Sequence, residues 1–390
     1  MDKQERILTI LTRTLTYILV AVLASAVTFF LCLGQKRDGQ SKLDQLESLI
    51  LNCFIGDADQ GTMEDAAADA MVNALGDRWS YYIPASEYEA YMQQQKNAYV
   101  GIGVTVTVTE DKTGIRVMRV EPESPALEAG ILPEDVIIEV EGEPVSVLGI
   151  DAAKDKIRGQ EGTKVSITLL RGEERLTLAV TRSSIKTTVA KGQMLPDHIG
   201  LVTIKNFDER CAQETIAAVE SLVQQGAKAI VFDVRNNPGG FKSELVELLD
   251  YLLPEGDLFR SLSYNGRETV DTSDEECLQL PMAVLVNGES YSAAEFFAAA
   301  LDEYDWAVVV GEQTCGKGYF QQTIQLNDGS AVGLSVGKYF TPKGVSLAEA
   351  GGLTPELLVP VEEDTAGRIY AGLLPPEEDP QIQAAVNALK

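Results

Sequence analysis

The chain has 390 residues, of which 45% are hydrophobic and 23% charged, a composition typical of a globular protein with domains of about 150 residues each. Its formal net charge of −27 argues against a nucleic-acid partner, because phosphates are bound mainly by Lys and Arg. Five cysteines without CxxC spacing and a single histidine argue against a zinc cluster, so we expect no metal and no cofactor.

The N-terminal segment is apolar. Residues 14–34 carry no charge and have about the length, roughly 20 residues, that spans a bilayer as a helix. Lys3, Arg6 and Arg13 precede this stretch, so the positive-inside rule places residues 1–13 in the cytoplasm. We therefore expect a single-pass transmembrane helix over 14–34, a location at the cell membrane, and the rest of the chain outside the cytoplasm.

A cleaved signal peptide is the alternative for this segment. Ala24-Ser25-Ala26 resembles the small-residue site at which signal peptides are cut. The cut would fall inside the apolar stretch and leave an apolar stub, and we therefore favour the uncleaved anchor.

Residues 41–96 have the pattern of a helical N-terminal region. Apolar residues recur at helical spacing between Leu43 and Leu75, which predicts two or three helices that end near Asp77. These helices and the C-terminal helical segment are candidates for a homodimer interface.

Residues 97–183 are predicted to form a compact β-rich domain. Apolar and polar residues alternate over 100–109 and 114–122, as in half-buried strands, and a hairpin is expected across Gly172. About five short strands and two short helices account for this domain.

Residues 184–390 change to a different pattern. From Ile185 onward strands alternate with helices, and this order predicts a largely parallel sheet covered by helices. Two further strands, expected at 319–326 and 331–340, are predicted to be an antiparallel addition.

The segment NGESYSAAEFF, residues 287–297, joins an apolar strand to a helix. A serine at such a sharp junction is placed as nucleophiles often are, and the helix N-terminus favours developing negative charge. Ser292 is thus a candidate nucleophile that needs a base. The one histidine, His198, starts a predicted strand, and we interpret it as a surface or structural residue.

The segment GEQTCGKGYFQQ, residues 311–322, has two interpretations. Its G-x-x-x-x-G-K pattern is most of a phosphate-binding loop, but Gly318 stands where such a loop has Ser or Thr, and a strand rather than a helix follows. In the other interpretation Lys317 is the missing base, which requires burial to lower its pKa toward neutrality. Spacing alone would favour an exposed Gly-Lys-Gly turn.

The segment RNNPGGF, residues 235–241, favours the interpretation of Lys317 as a catalytic base over that of an exposed turn. It follows a buried strand and precedes a helix, so it lies at the carboxyl end of a parallel strand, where active sites form. Backbone N–H groups there suit an oxyanion hole, and the loop should share one sheet edge with Ser292. Asp233, in the strand itself, is interpreted as support for this loop.

Together these segments resemble a family. From about residue 41 to the end, the chain resembles the carboxyl-terminal processing peptidases, serine proteases of the S41 type with a Ser/Lys dyad and a PDZ domain. The resemblance rests on motifs that follow one another over nearly the whole chain: VGIGVTV, SPALEAGILPEDVIIEVEG, IRGQEGTKVSITLLR, FDVRNNPGG, VLVNGESYSAAEFFAAAL, VGEQTCGKGYFQQ, KYFTPKG and DPQIQAA. In this order they are highly specific.

The resemblance implies site residues. The family's S-A-S-A-S-E fingerprint makes Ser292 the nucleophile, its G-K-G makes Lys317 the base, and Gln321 would orient that lysine. The implied oxyanion donors are the backbone N–H groups of Ala293 and of the Gly239/Gly240 pair.

This chain departs from the family pattern at positions outside the dyad. Tyr291 and Ala294 replace an Ala and a Ser of the fingerprint, and Cys315 replaces an aromatic residue. These departures concern the shape of the pocket, and Cys315 raises the question of oxidative sensitivity beside the dyad lysine.

The β-rich domain resembles a circularly permuted PDZ domain. Gly101-Ile102-Gly103-Val104 would be its carboxylate-binding loop, which captures the C-terminus of a protein or peptide substrate while the peptide adds as a strand. A β-rich spacer that binds nothing is the alternative.

The expected fold is therefore multidomain, of mixed α/β and β class: an N-terminal transmembrane helix, a helical region, a PDZ-like domain over 97–183, and an α/β protease core of the ClpP/crotonase-like type over 184–390 with a C-terminal helical segment. The implied activity is endopeptidase cleavage of extracytoplasmic proteins near their C-termini through an acyl-enzyme. A catalytically inactive PDZ scaffold at the membrane is the competing hypothesis.

Overall fold

The computed structural model describes residues 16–18, 20, 22, 23 and 41–390. Two compact units are distinguished, with the boundary between Gly76 and Asp77.

The predicted transmembrane helix is wrong for the part of the chain that the structure describes. Residues 16–18, 20, 22 and 23 are helical, but none of the described helices is long and apolar enough to cross a membrane. A span needs roughly 20 apolar residues in one helix, and none of the described helices meets that requirement. The other residues of that stretch, and residues 1–13, lie outside the described residues.

The first unit contains the helices predicted after residue 41, α1 (Lys42–Cys53) and α2 (Gln60–Asn73). Ser41 begins α1 through a capping box: its hydroxyl accepts the Asp44 N–H at 3.2 Å, and the Asp44 carboxylate accepts the Ser41 N–H at 3.0 Å. Asp59 caps α2 by a single backbone bond, in which its carboxylate accepts the Thr62 N–H at 2.8 Å.

The second unit opens with β1 (Tyr81–Ile83) and α3 (Ala85–Gln95), followed by a β-rich domain. The elements of that domain are β2 (Ala98–Gly101), β3 (Val104–Val108), β4 (Ile115–Val120), α4 (Pro125–Glu128), β5 (Val136–Val140), β6 (Glu143–Pro144), α5 (Val145–Leu148), α6 (Ile150–Ile157), β7 (Lys164–Arg171), β8 (Glu174–Thr181) and β9 (Ser183–Lys186).

The β-rich domain is built on one antiparallel sheet of order β3-β4-β5-β7-β8, with β6 paired to β5. Strand β2 pairs with β9, so the domain's first and last strands lie side by side. Among the described strands β3 pairs only with β4, which leaves its other edge open. The alternation in the sequence follows from this sheet: Ile115, Val117 and Ile137 are fully buried in its core.

The rest of the second unit is an α/β domain. Its elements are β10 (Ala190–Leu195), β11 (Ile199–Ile204), α7 (Cys211–Gln224), β12 (Ala229–Asp233), α8 (Lys242–Leu252), β13 (Gly256–Ser263), β14 (Glu268–Ser273), β15 (Met282–Val286), α9 (Ala293–Glu303), β16 (Ala307–Gly311), β17 (Tyr319–Gln325), β18 (Ala331–Phe340), α10 (Leu347–Ala350), β19 (Leu357–Leu358), α11 (Glu363–Tyr370) and α12 (Pro380–Ala388).

The predicted parallel sheet is confirmed, with strand order β10-β11-β12-β15-β16-β19. Only β10 is antiparallel to its neighbour. Both faces are covered: in β12, Ile230 and Phe232 pack into the core that holds α7, α8 and α9, whereas Ala229 and Val231 pack against α12. Burial on both faces explains why β12 is a continuous apolar run.

The predicted antiparallel addition is confirmed as a second sheet of order β1-β18-β13-β14, with β17 also paired to β18. Tyr339 of β18 and Phe259 of β13 belong to the same hydrophobic core as α9. The second sheet therefore lies beside the turn that precedes α9.

Candidate active site

Ser292 lies at a strained turn between β15 and α9. Strand β15 ends at Val286 and the helix begins at Ala293, and Ser292 between them has φ 58° and ψ −123°. A residue with a Cβ rarely adopts this conformation, which costs about 1–3 kcal/mol and is typical of functional sites. The turn therefore places the serine as the sequence predicted for a nucleophile.

The Gly-Gly loop packs directly against this turn. A Cβ on Gly239 would lie 2.8 Å from the Ala293 nitrogen and from the Ser292 Cβ, so only glycine fits there. Asn236 and Asn287 fasten the two loops together: the Asn236 N–H donates to the Asn287 side chain at 2.9 Å, and the Asn287 amide donates back to the Asn236 side chain at 2.9 Å. The structure thus brings these two predicted segments together.

The backbone N–H groups at this junction differ in availability. The N–H of Gly239 is already donated to the Asn237 side chain at 2.9 Å. The N–H groups of Gly240 and Ala293 make no hydrogen bond within the described part of the chain. Of the three predicted oxyanion donors, Gly240 and Ala293 are therefore the two that are free to bind an oxyanion.

Lys317 is half-buried and lies over an aromatic ring. Its Nζ is 4.6 Å from the centre of the Trp79 ring. Burial lowers the pKa of Lys317 to about 8, although the negative charges of Asp77 and Glu295 oppose this effect. An appreciable fraction of this lysine is therefore neutral near physiological pH and able to accept a proton.

The activity should accordingly depend on pH through Lys317. A lysine base acts only when neutral, so kcat/KM should rise with pH and level off above an apparent pKa of about 8. Two units below that pKa, only about one lysine in a hundred is neutral. A pH–rate profile on a neutral peptide measures this, and a rate that falls as pH rises through 8 would contradict a lysine base.

Glu295 joins the serine turn to the lysine loop. It is fully buried, and one carboxylate oxygen accepts both the Ser292 N–H at 3.1 Å and the Lys317 N–H at 2.7 Å. The other oxygen accepts the Thr314 hydroxyl at 2.7 Å and the Gly316 N–H at 2.9 Å. Burial raises the pKa of Glu295, whereas these four donors stabilise its carboxylate. One side chain therefore fixes both halves of the predicted dyad.

Tyr339 is a further residue at the dyad. Its hydroxyl donates to the carbonyl of Lys317, and its ring lines the cavity that also contains Ser292. The side chain is 3% exposed, and burial raises the pKa of Tyr339 well above its usual value. It therefore stays a neutral phenol that holds the lysine loop against the serine turn.

Gln321 lies near the dyad but is held by other groups. Its amide nitrogen donates to the Ser335 hydroxyl at 3.0 Å and to the Tyr319 carbonyl at 3.1 Å. Within the described residues no hydrogen bond joins it to Lys317. Its predicted role in orienting the lysine stays a prediction. The arrangement offers an indirect route: the Ser335 N–H donates to the Ser80 hydroxyl at 3.1 Å, that hydroxyl donates to the Asp77 carboxylate at 2.6 Å, and the charge of Asp77 attracts Lys317.

Ser292 and Lys317 open into one cavity of about 840 Å³. Its walls are contributed by α3, the Gly-Gly loop, the antiparallel sheet and the start of α9. Besides the dyad, the lining includes Gln321, Gly239, Gly240 and Ala293. All six residues predicted for the catalytic centre thus border the same space.

His198 lies away from this site. It ends a short 3₁₀ turn just before the amino end of β11, whereas Ser292 follows the carboxyl end of β15. These strands run parallel in one sheet, so the two residues lie at opposite sheet edges. Asp233, in turn, pairs with Arg235 at 2.6 Å, and Arg235 also pairs with Asp379 at 2.8 Å, so Asp233 supports the loop as expected.

The predicted PDZ loop is tightly packed. Gly103 has φ +79°, and a Cβ there would collide with Ser124. The carbonyls of Ile102 and Gly103 accept backbone N–H groups at 2.8 and 2.9 Å. Across the described chain, the N–H groups of Ile102 and Gly103 find no acceptor, and Val104 begins β3, the strand with the open edge. The loop thus retains the donors that a terminal carboxylate requires.

Sequence reasoning missed several residues of the site. Asp77 and Trp79 come from the segment before β1, and no local pattern marks them. Only the family fingerprint, of which Glu295 is the last residue, indicated Glu295, and only the KYFTPKG motif contained Tyr339. Cys315, noted as a departure from the family, has its thiol 3.0 Å from the Arg78 guanidinium, which donates to it.

Comparisons with known proteins agree with this geometry. The family model described as peptidase family S41 matches residues 198–359, and a PDZ domain model matches residues 116–171. The carboxy-terminal processing protease CtpA of Bacillus subtilis (strain 168) is 34% identical over 349 residues, which cover 86% of this chain and 74% of that protein.

Two further proteins are similar. A probable CtpA-like serine protease of Staphylococcus aureus (strain COL) is 31% identical over 357 residues, covering 88% of this chain and 71% of that protein. A solved structure described as a putative S41 protease from Bacteroides fragilis NCTC 9343 is 16% identical with a TM-score of 0.50, covering 88% of this chain and 96% of that chain. The last likeness concerns the fold alone.

Proposed function

Because this chain belongs to the carboxy-terminal processing proteases of peptidase family S41, which are serine-type endopeptidases, we propose that Ser292 is its nucleophile and Lys317 its general base. The single observation that carries the assignment is the Glu295 carboxylate, which accepts the N–H of both residues and holds a half-buried lysine beside a strained serine. The family favours an active peptidase over an inactive scaffold, and both dyad side chains are present.

The proposed reaction proceeds through an acyl-enzyme. Neutral Lys317 takes the proton from the Ser292 hydroxyl as the oxygen attacks a peptide carbonyl. The resulting oxyanion is bound by the free N–H groups of Gly240 and Ala293. Protonated Lys317 then gives its proton to the leaving amine. In the second half Lys317 takes a proton from the water that attacks the ester and returns it to the Ser292 oxygen as the acyl bond breaks.

We also propose that the PDZ-like domain selects substrates by their C-termini. The unpaired N–H groups of Ile102 and Gly103 would bind the terminal carboxylate, and the open edge of β3 would pair with the substrate backbone. The substrate class is therefore proteins or peptides with a free chain terminus, cleaved near that end.

A pair of peptides tests this selection. A substrate with a free C-terminal carboxylate should have a higher kcat/KM than the same sequence amidated, because the amide loses the charge that the N–H groups bind. Gly103→Ala should bring the kcat/KM values of the two peptides closer together, since the added Cβ collides with Ser124 and displaces the loop.

The matched control is Gly142→Ala, in a turn of the same domain. Gly142 has φ +77°, close to that of Gly103, but a Cβ there meets nothing within 4 Å. This variant has the same backbone strain without the collision, so it should keep the preference for the peptide with a free C-terminal carboxylate. Equal rates for the two peptides with the unmodified protein would contradict the capture of chain termini.

We further propose that the peptidase works outside the cytoplasm. Support comes from the sequence, in which Lys3, Arg6 and Arg13 precede an uncharged apolar stretch, a pattern typical of exported proteins. Protease added to intact cells should then digest the peptidase, and digestion that requires permeabilised cells would contradict this location.

A further inference from the structure

The cavity that holds Ser292 and Lys317 also contains a carboxylate that the proposed mechanism does not use. Asp208 lines this cavity and is only 8% exposed. It follows Phe207, whose backbone hydrogen-bonds to Gly239 and Phe241 at 2.7 Å each. A Cβ on Gly240 would lie 2.6 Å from the Asp208 nitrogen. Asp208 is therefore fixed beside the loop that carries a proposed oxyanion donor.

Among the residues that the structure describes, Asp208 has no partner for its charge. The other buried carboxylates in the described residues each accept hydrogen bonds: those of Asp135, Asp233, Asp379 and Glu295. The carboxylate of Asp208 accepts none within the same residues. Such burial of an unpaired carboxylate is costly, and a partner from outside the chain would remove that cost.

The charged groups that act on Asp208 are both acidic. Burial, followed by the charges of Glu244 and Glu209, raises the pKa of Asp208 to about 7. The two lysines on the cavity wall are engaged elsewhere: Lys242 pairs with Asp271 at 2.6 Å, and Lys317 is the proposed base. This part of the cavity thus holds a carboxyl group that ionises near neutral pH, and among the described residues no cation neutralises it.

Aromatic rings border the same space. The rings of Tyr88 and Tyr91, both on α3, stack with centres 6.3 Å apart. The Tyr91 hydroxyl is occupied by the Tyr81 hydroxyl at 2.8 Å and by Thr323 at 3.2 Å, and the charge of Asp208 acts on that phenol. A carboxylate beside stacked aromatic rings is the combination that binds an ammonium or guanidinium group.

We propose that Asp208, together with Tyr88 and Tyr91, forms a subsite of the substrate cleft that binds a lysine or arginine side chain of the polypeptide near the cleaved bond. The inference rests on the proposed function, because the subsite acts on a chain held for attack by Ser292.

Pairs of peptides that differ in one charge test the subsite. Lysine is compared with norleucine, and arginine with citrulline, at each position flanking the cleaved bond in turn. At one position, the unmodified protein should have a kcat/KM about tenfold or more higher for the charged peptide, as expected for a hydrogen-bonded charge pair. Asp208→Asn should remove most of this ratio.

The matched control is Glu209→Gln, which removes the same charge one residue along the chain from an exposed side chain outside the cavity. Its charged-to-neutral ratio should not fall, because Glu209 lies outside the cavity and loss of its charge favours the ionised form of Asp208. A subsite role changes the ratio, whereas a purely structural role of Asp208 changes both rates by the same factor.

Two results would overturn the subsite: no position at which the unmodified protein prefers the charged peptide, or an Asp208→Asn ratio equal to that of Glu209→Gln. The first needs no variant, so it holds even if Asp208→Asn fails to fold. Failure of the proposed function would look different, because no peptide in either series would be cleaved in a Ser292-dependent way.

Discussion

Replacement of Lys317 by alanine should reduce peptidase activity by at least about 10⁴-fold, and Ser292→Ala should do the same, since removing one member of a catalytic pair costs nearly as much as removing both. Lys317→Arg should lose peptidase activity to the same extent. A guanidinium stays protonated at any working pH and cannot accept the serine proton. Cleavage of a fluorogenic peptide, with circular dichroism to verify folding, measures each effect.

His198→Ala is the control for this experiment. The histidine lies at the opposite sheet edge from Ser292, so its removal should leave kcat/KM largely intact. A folded Lys317→Arg protein that retains activity would rule out lysine as the base. A His198→Ala protein without activity would instead point to an imidazole mechanism.

Glu295→Gln should damage both stability and catalysis. The amide keeps the shape of the side chain but replaces one acceptor oxygen by an NH₂ group. That group would face N–H or O–H donors wherever it pointed, because all four positions around the carboxylate are occupied by donors. We expect the free energy of unfolding to fall by about 2–4 kcal/mol. The kcat should fall as well, since the serine turn and the lysine loop lose their common anchor.

Thermal unfolding and single-turnover kinetics on the same preparation measure the two effects. The matched control is Glu289→Gln, an exposed residue of the same turn, for which both quantities should stay near those of the unmodified protein. If Glu295→Gln unfolds at the control's temperature and reacts at the control's rate, the carboxylate has no role in joining the two halves of the dyad.

Much of the α/β architecture could be predicted from the sequence because burial leaves a strong local pattern. Strands β12 and β15 are apolar at every position except Asp233, since helices cover both faces, and α9 follows β15 within a few residues. The positions of Ser292 and the Gly-Gly loop followed from the same rule: successive parallel strands end at one edge of the sheet.

The surroundings of the dyad could not be predicted in this way. Trp79 and Lys317 are 238 positions apart in the chain, and only the antiparallel sheet, which pairs β1 with β18, brings their segments together. The role of Glu295 depends on contacts with a loop that begins at Thr314, 19 positions further along the chain. No periodic pattern in the sequence indicates such contacts. The transmembrane prediction failed for another reason: it rested on apolar length alone, and no described helix has that length.

The contact between Lys317 and Trp79 links the charge of the proposed base to tryptophan fluorescence. The chain has only two tryptophans, and Trp306 packs against the hydrophobic core. An ammonium 4.6 Å from the centre of an indole ring perturbs its emission through the attraction between a cation and a π system, and a neutral amine does so far less. We therefore expect the intrinsic fluorescence of Trp79 to change with pH as Lys317 loses its charge, in the free protein and without any substrate. The Arg78 guanidinium, 4.1 Å from the centre of the same ring, stays protonated throughout and does not contribute to that change.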